Sequence, residues 1–170
     1  MGLDMYLEIG KNEYCSNYYK DKGSNLKLEY PKDITDFVSV SPESMAISRT
    51  TKYHVGYWRK ANHIHNWFIQ HCANRDEWGN AIDDCTPIEI TVGKLEELLE
   101  TCKKVLTDHS LASSLLPTQS GFFFGSTKYD EDYFKDIEDT IKIVEPVLKF
   151  AKHKRDIEDY VWVVYYQASW

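Results

Sequence analysis

The sequence lacks any apolar run approaching the ~18–20 residues of a membrane-spanning helix. Its four cysteines, Cys15, Cys72, Cys85 and Cys102, include no CxxC pair, so zinc-knuckle spacing is missing. Glycine and proline are sparse, at 8 and 5 of 170 residues. With no internal repeat and no low-complexity tract, solenoid, collagen-like and disordered classes drop out. No secretion signal is expected, because Met1-Gly2-Leu3-Asp4-Met5-Tyr6-Leu7-Glu8 puts acids where a basic start and apolar core belong. Tyr6 stands where N-myristoylation wants Ser or Thr. A cytoplasmic protein is expected. Positive charge is not in excess. Twenty Lys and Arg face 27 Asp and Glu, a formal net charge of −7. That argues against partnership with bulk nucleic acid or a membrane surface.

What is present is the balance of a globular chain: 42% hydrophobic, 28% charged and 14% aromatic residues. One α+β domain over residues 1–170 is expected, with a sheet of about four or five strands packed by three main helices. Leu3, Met5, Leu7 and Ile9 alternate with polar residues and read as a strand with one buried face. Residues 11–33 read as loops, with a short strand near Leu26–Leu28, and short strands are expected at Phe37–Val40 and Met45–Ile47. Tyr57, Trp58, Ala61, Ile64, His65, Phe68 and Cys72 recur at spacings of three and four, which predicts a helix from Gly56 to about Asn74. Ile88, Ile90 and Val92 alternate as a strand. Leu95, Leu98, Leu99, Cys102, Val105 and Leu106 form one helical stripe, where Cys102 serves as a small hydrophobe. Most of the cysteines are expected in the core.

Gly121-Phe122-Phe123-Phe124-Gly125 reads as a short aromatic strand, with Phe122 and Phe124 in the core. A third helix is expected from Tyr129 or Asp130, capped by Ser126 or Thr127, with Pro146 kinking it or ending its first part near Glu145. Tyr160–Tyr166 is β-branched and aromatic throughout, which predicts a central strand buried on both faces.

Acids are distributed unevenly. The 30 residues from Ala46 through Arg75 contain no Asp or Glu but hold Arg49, Lys52, Arg59, Lys60 and Arg75, and four of the six histidines. Residues 128–145 carry seven acids against three lysines. A cationic cleft with low-dielectric walls draws anions. Arg forks a phosphate, indole stacks on a ring and Asn reads an edge. On the expected helix, Trp58, Asn62 and His65 share a face at i, i+4 and i+7, with Arg59 beside them. The competing reading is a core histidine and tryptophan, with Arg59 and Lys60 neutralised by Asp83 and Asp84. His63 and His65 diverge by ~200° on a helix, so they are not expected to share a metal. Thr118, Gln119 and Ser120 offer uncharged hydrogen-bonders before Gly121, where a ligand can approach the backbone. The Walker and nucleophile-elbow spacings are absent, and Ser120 has no evident base. Nothing in the sequence calls for a cofactor.

Gly56-Tyr57-Trp58-Arg59-Lys60-Ala61-Asn62 with Ile64-His65 and Trp67-Phe68, Asp83-Asp84-Cys85, and Leu116 through Ser126, together with the Met1–Leu7 start, carry a resemblance. The chain resembles a family of uncharacterised small proteins encoded largely by bacteriophages and related mobile elements. The resemblance implies an accessory protein of an infected bacterial cytoplasm, and such proteins often antagonise host defences. It matches the family at His65 and not at His63.

The leading expectation is a binding protein without chemistry. It would hold a nucleotide-like anion between Trp58, Arg59, Asn62 and His65 and the loop Thr118, Gln119 and Ser120. One alternative is a protein–protein inhibitor that presents Asp130, Glu131, Asp132, Asp136, Glu138 and Asp139 to a host defence protein. Another is an enzyme acting on a nucleotide or phosphodiester with His65 as general base. The aromatic strands leave room for a homo-oligomeric interface.

Overall fold

A computed structural model describes residues 2–16, 46–155 and 162–170. The expected elements at Leu26–Leu28 and Phe37–Val40 lie outside the described residues. Four strands form an antiparallel sheet in the order β2-β1-β4-β3. They are β1 (Asp4–Ser16), β2 (Ala46–Arg59), β3 (Ile88–Ile90) and β4 (Trp162–Ser169). The helices are α1 (Asn62–Cys72), α2 (Val92–Thr107), the single turn α3 (Ala112–Leu115) and α4 (Glu131–Arg155). The fold is therefore α+β, with α1, α2 and α4 as its three main helices. No helix among the described residues is long and apolar enough to cross a membrane.

Met1–Gly10 with Lys52–Trp170 make one compact unit, and Lys11–Thr51 make a second. Within the second, Arg49 donates twice to Glu13 Oε2, at 2.9 and 2.6 Å. The first unit contains all the helices.

The period-2 pattern of β1 is realised: Leu3, Met5, Leu7 and Ile9 are all buried. The strand extends beyond Ile9 to Ser16, into residues expected to be loop. Gly56 of β2 faces Leu7 and Ile143 of α4. A Cβ there would sit 2.3 Å from Ile143 Cγ2, so the missing side chain lets α4 lie close on the sheet. Leu95, Leu98, Leu99, Cys102 and Val105 of α2 are buried, as their spacing predicts. Tyr133, Ile137, Val144, Val147 and Leu148 of α4 join them in the core. Lys103–Glu145 at 2.8 Å and Lys152–Glu96 at 2.6 Å tie the exposed flanks of α2 and α4.

Several expectations are corrected. The helix expected from Gly56 begins only at Asn62, because β2 runs through Arg59. Thr51, Tyr53, Val55 and Tyr57 continue a β-branched and aromatic alternation that outweighs the helical spacing. Lys60 then turns the chain with a left-handed φ of 62°. Val92 opens α2 rather than closing β3, and Thr91 caps that helix by accepting from Lys94 N. Gly121–Gly125 is a turn and not a strand. Phe124 N–H donates to Gly121 C=O, Phe124 is buried and Phe122 is 95% exposed. Asp130, not Ser126 or Thr127, caps α4, its carboxylate accepting from Tyr133 N at 3.3 Å. Pro146 neither ends α4 nor divides it. It lies on the exposed side, where the carbonyl that loses its backbone hydrogen bond is open to solvent. β4 is central, between β1 and β3, but its burial alternates, with Val164, Tyr166 and Ala168 facing the core. Of the cysteines, Cys102 is buried while Cys72 and Cys85 are half-buried.

Candidate functional site

The expected site residues fall into two environments. Trp58 lies on β2, not on a shared helix face with Asn62 and His65. All three are nonetheless buried, at 4%, 1% and 0% exposure. Their polar atoms are taken. Trp58 Nε1 donates to Thr140 Oγ1 at 2.9 Å, and that hydroxyl donates to Asp136 C=O at 2.7 Å. The Asn62 amide donates to the Phe124 and Ser126 carbonyls at 3.0 and 2.8 Å, and its Oδ1 accepts from Gln119 N at 2.9 Å. His65 bridges Asp83 Oδ2 at 3.1 Å and the Tyr166 hydroxyl at 2.7 Å. Asp83 accepts from Nε2–H, which leaves Nδ1 to accept the Tyr166 proton. Burial and the Asp83 charge push the Tyr166 phenol well above its ordinary range.

The Thr118–Ser120 loop is engaged in the same framework. Thr118 Oγ1 donates to Thr127 C=O at 3.2 Å, and Gln119 N is held by Asn62. Gln119 Oε1 is buried without a partner, and Ser120 is exposed. The structure thus brings Gln119 to Asn62, whose own amide is fully engaged, while Trp58 packs against α4. Arg59 and Lys60 do not pair with Asp83 or Asp84, since Asp84 Oδ1 accepts from Thr86 N instead. The nearest carboxylate to Arg59 is Asp4, at 3.9 Å.

An open cleft of about 400 Å³ adjoins this framework, within the ~300–1,000 Å³ range of small-ligand sites. One side comes from the β2–α1 corner, with Arg59, Lys60, Asn62 and His63. The α4 side contributes Asp130, Asp132, Tyr133, Lys135, Asp136 and Asp139, and Gly125, Ser126 and Lys128 complete the lining. Among the described residues, Lys60 and Lys128 have no carboxylate partner. The left-handed backbone of Lys60 costs ~1–2 kcal/mol for a residue with a Cβ. Gly125 accommodates it. With φ at 90°, Gly125 has no Cβ to meet Lys60 Cβ, which would lie only 3.0 Å away. The first turn of α1 has no acid and no side-chain cap, so its positive dipole end is uncompensated beside the cleft.

His63 is 2% exposed, lines this cleft and has no partner for Nε2. Its ring lies 4.1 Å from that of Tyr133. Burial pushes its pKa down to about 3, so the imidazole is neutral at pH 7. Asp136 is pushed the other way, to about 7, by burial first and then by the charges of Asp132, Asp139 and Asp130. His63 and His65 point into different surroundings. Among the described residues no group of three His, Cys, Asp or Glu side chains is arranged to hold a metal ion.

Sequence reasoning placed Arg59 and Asn62 at the site but missed His63, Lys128 and Asp136 as lining residues. One signal was readable in advance: Asp132, Asp136 and Asp139 stack at i−4, i and i+3 on a helix, where like charges raise one another's pKa. Comparison of the chain with family models, curated proteins and solved structures finds no match.

Proposed function

We propose that this chain is a small-molecule binding protein without chemistry, and that its ligand is a nucleotide-like anion held in the cleft beside α1. The observation that carries this reading is Arg59, Lys60, Lys128 and Lys135 lining a ligand-sized cavity, opposite the carboxyls of Asp130, Asp132, Asp136 and Asp139, with Lys60 and Lys128 unpaired among the described residues. Cations at an uncapped helix start suit a phosphate. This shifts the binding surface from the face of Trp58 and His65, whose polar atoms are engaged, to the opposite side of Asn62. Through its resemblance to phage-encoded proteins, the same reading extends to an accessory role in the infected bacterial cytoplasm: sequestering a nucleotide signal of host defence.

Calorimetric titration with mononucleotides and cyclic dinucleotides tests it. Binding is expected for wild type, with a loss of ~tenfold or more in Lys60→Gly and Lys128→Ala. Lys60→Gly suits the left-handed backbone, so the fold should survive the loss of charge. No heat with any member of the panel would overturn the proposal.

A second reading rests on Glu131, Asp132 and Glu138, which are exposed on α4 and have no cationic partner among the described residues. Such a face suits a basic surface on a host protein. Its test is recovery of one partner by pull-down, abolished when the three acids are changed to lysine. An enzymatic role for His65 has less support, because both ring nitrogens are engaged in a closed network.

A further inference from the structure

Buried polar side chains are normally paired: Asn62 makes three hydrogen bonds, Thr140 two, and His65 uses both nitrogens, whereas Glu8 Oε2, Asp83 Oδ1, Gln119 Oε1 and His63 Nε2 are buried without a hydrogen-bond partner among the described residues. His63 departs from that rule. Its Nε2 is buried and unpartnered, its ring packs against Tyr133, and the residue lines a cavity. An unmet buried donor or acceptor costs ~1–3 kcal/mol, which a ligand atom in the cleft can recover. Asp136 lines the same cavity one helical turn beyond Tyr133, whose ring lies against the His63 imidazole. The cleft therefore brings four cations, Arg59, Lys60, Lys128 and Lys135, together with a hydrogen-bonding wall of one neutral imidazole and the carboxyl groups of Asp130, Asp132, Asp136 and Asp139.

We infer that His63 and Asp136 read the polar edge of a nucleobase, making them the residues that set which nucleotide the cleft accepts. This inference rests on the anion-binding reading above and adds to it. Every common base shows a donor beside an acceptor on its edge: an amino group next to a ring nitrogen, or a ring N–H next to a carbonyl. A carboxylate accepts from the first, and an imidazole N–H donates to the second. A bare phosphate or sugar phosphate offers no such edge and leaves Nε2 unpaired. A cavity of about 400 Å³ accommodates a mononucleotide.

The experiment is titration of the full chain with AMP, GMP, CMP, UMP, ribose 5-phosphate and inorganic pyrophosphate. At least one base-bearing nucleotide should bind ~tenfold or more tightly than ribose 5-phosphate. In His63→Phe and Asp136→Asn that preference should fall to about threefold or less, with ribose 5-phosphate affinity held within about twofold. A purely structural role would change all affinities together. Should a variant fail to fold, the His63 imidazole nitrogen resonances of the wild-type chain give an independent readout. They should shift with the preferred nucleotide and not with ribose 5-phosphate. Equal affinity for nucleotides and ribose 5-phosphate, or a base preference that survives both substitutions, overturns this inference and leaves the anion site standing. Silence from every probe, pyrophosphate included, overturns both.

Discussion

His63 and His65 are two residues apart on α1 and lie in opposite kinds of surroundings. His65 sits in a closed polar framework with Asn62, Asp83 and Tyr166, where nearly every donor has found an acceptor. His63 sits at the wall of a cleft with a nitrogen unmatched. Both are buried, at 0% and 2% exposure, so burial alone does not separate a structural histidine from a candidate ligand-reading one. Partner count does. A saturated network stabilises and rigidifies, and an unsaturated group at a cavity is a free valence.

Substitutions can break this contrast. The largest effect is expected for Asn62→Ala, which strands the Phe124 and Ser126 carbonyls and the Gln119 N–H. A loss of ~3–5 kcal/mol should appear in denaturant unfolding, and an unchanged midpoint would show that water replaces the amide. His65→Leu strands the Tyr166 hydroxyl and Asp83 at a cost of ~2–4 kcal/mol, whereas His63→Leu should lie within about 1 kcal/mol of wild type because no bond is lost. Comparable losses in the two leucine variants would abolish the distinction.

The two regions also part in their pH dependence. Below ~6.5 the unfolded chain protonates His63, while the folded chain refuses that proton until about pH 3. Stability therefore falls with falling pH through this window, by ~2 kcal/mol between pH 7 and 5. His63→Leu should remove that portion of the acid sensitivity in thermal melts recorded across the range. Asp136 acts in the opposite sense. Its folded carboxyl keeps a proton to about pH 7 that the unfolded chain releases near 4. Stability falls as pH rises between these values, by about 1–2 kcal/mol once solvent screening is allowed for. Asp136→Asn should flatten that slope, and an unaltered slope would assign it to another group. The smallest effect is expected at Phe122, 95% exposed at its turn: Phe122→Ser should move stability by no more than about 0.5 kcal/mol.

Much of the fold was legible. The alternation in β1 and the stripe of α2 each follow one period over enough residues to be decisive. The apolar positions Ala61, Ile64 and Phe68 do lie in the core, but so does Trp58, expected to stack on a ligand, and the helical period read across all four was misleading. A strand end and a helix start, hinged at Lys60, bring the same residues to one interior that a single helix would. The Phe122–Phe124 run deceived for a related reason. The Gly121–Gly125 turn buries Phe124 and exposes Phe122, a division that composition cannot express.

The order of residues by itself determined the apolar faces of β1, α2 and α4 and the segregation of cations from acids. Those follow from local pattern and from charge counting. Only the tertiary structure decided which polar groups are spent and which are spare. Asn62 and His65 are saturated by Phe124, Ser126, Asp83 and Tyr166, partners 18 to 101 residues away. His63 instead packs its ring against Tyr133 at the acidic start of α4, at the wall of the cleft and with Nε2 unpartnered. Hydrogen-bond satisfaction depends on long-range contacts, and the spacing of residues along the chain does not encode it.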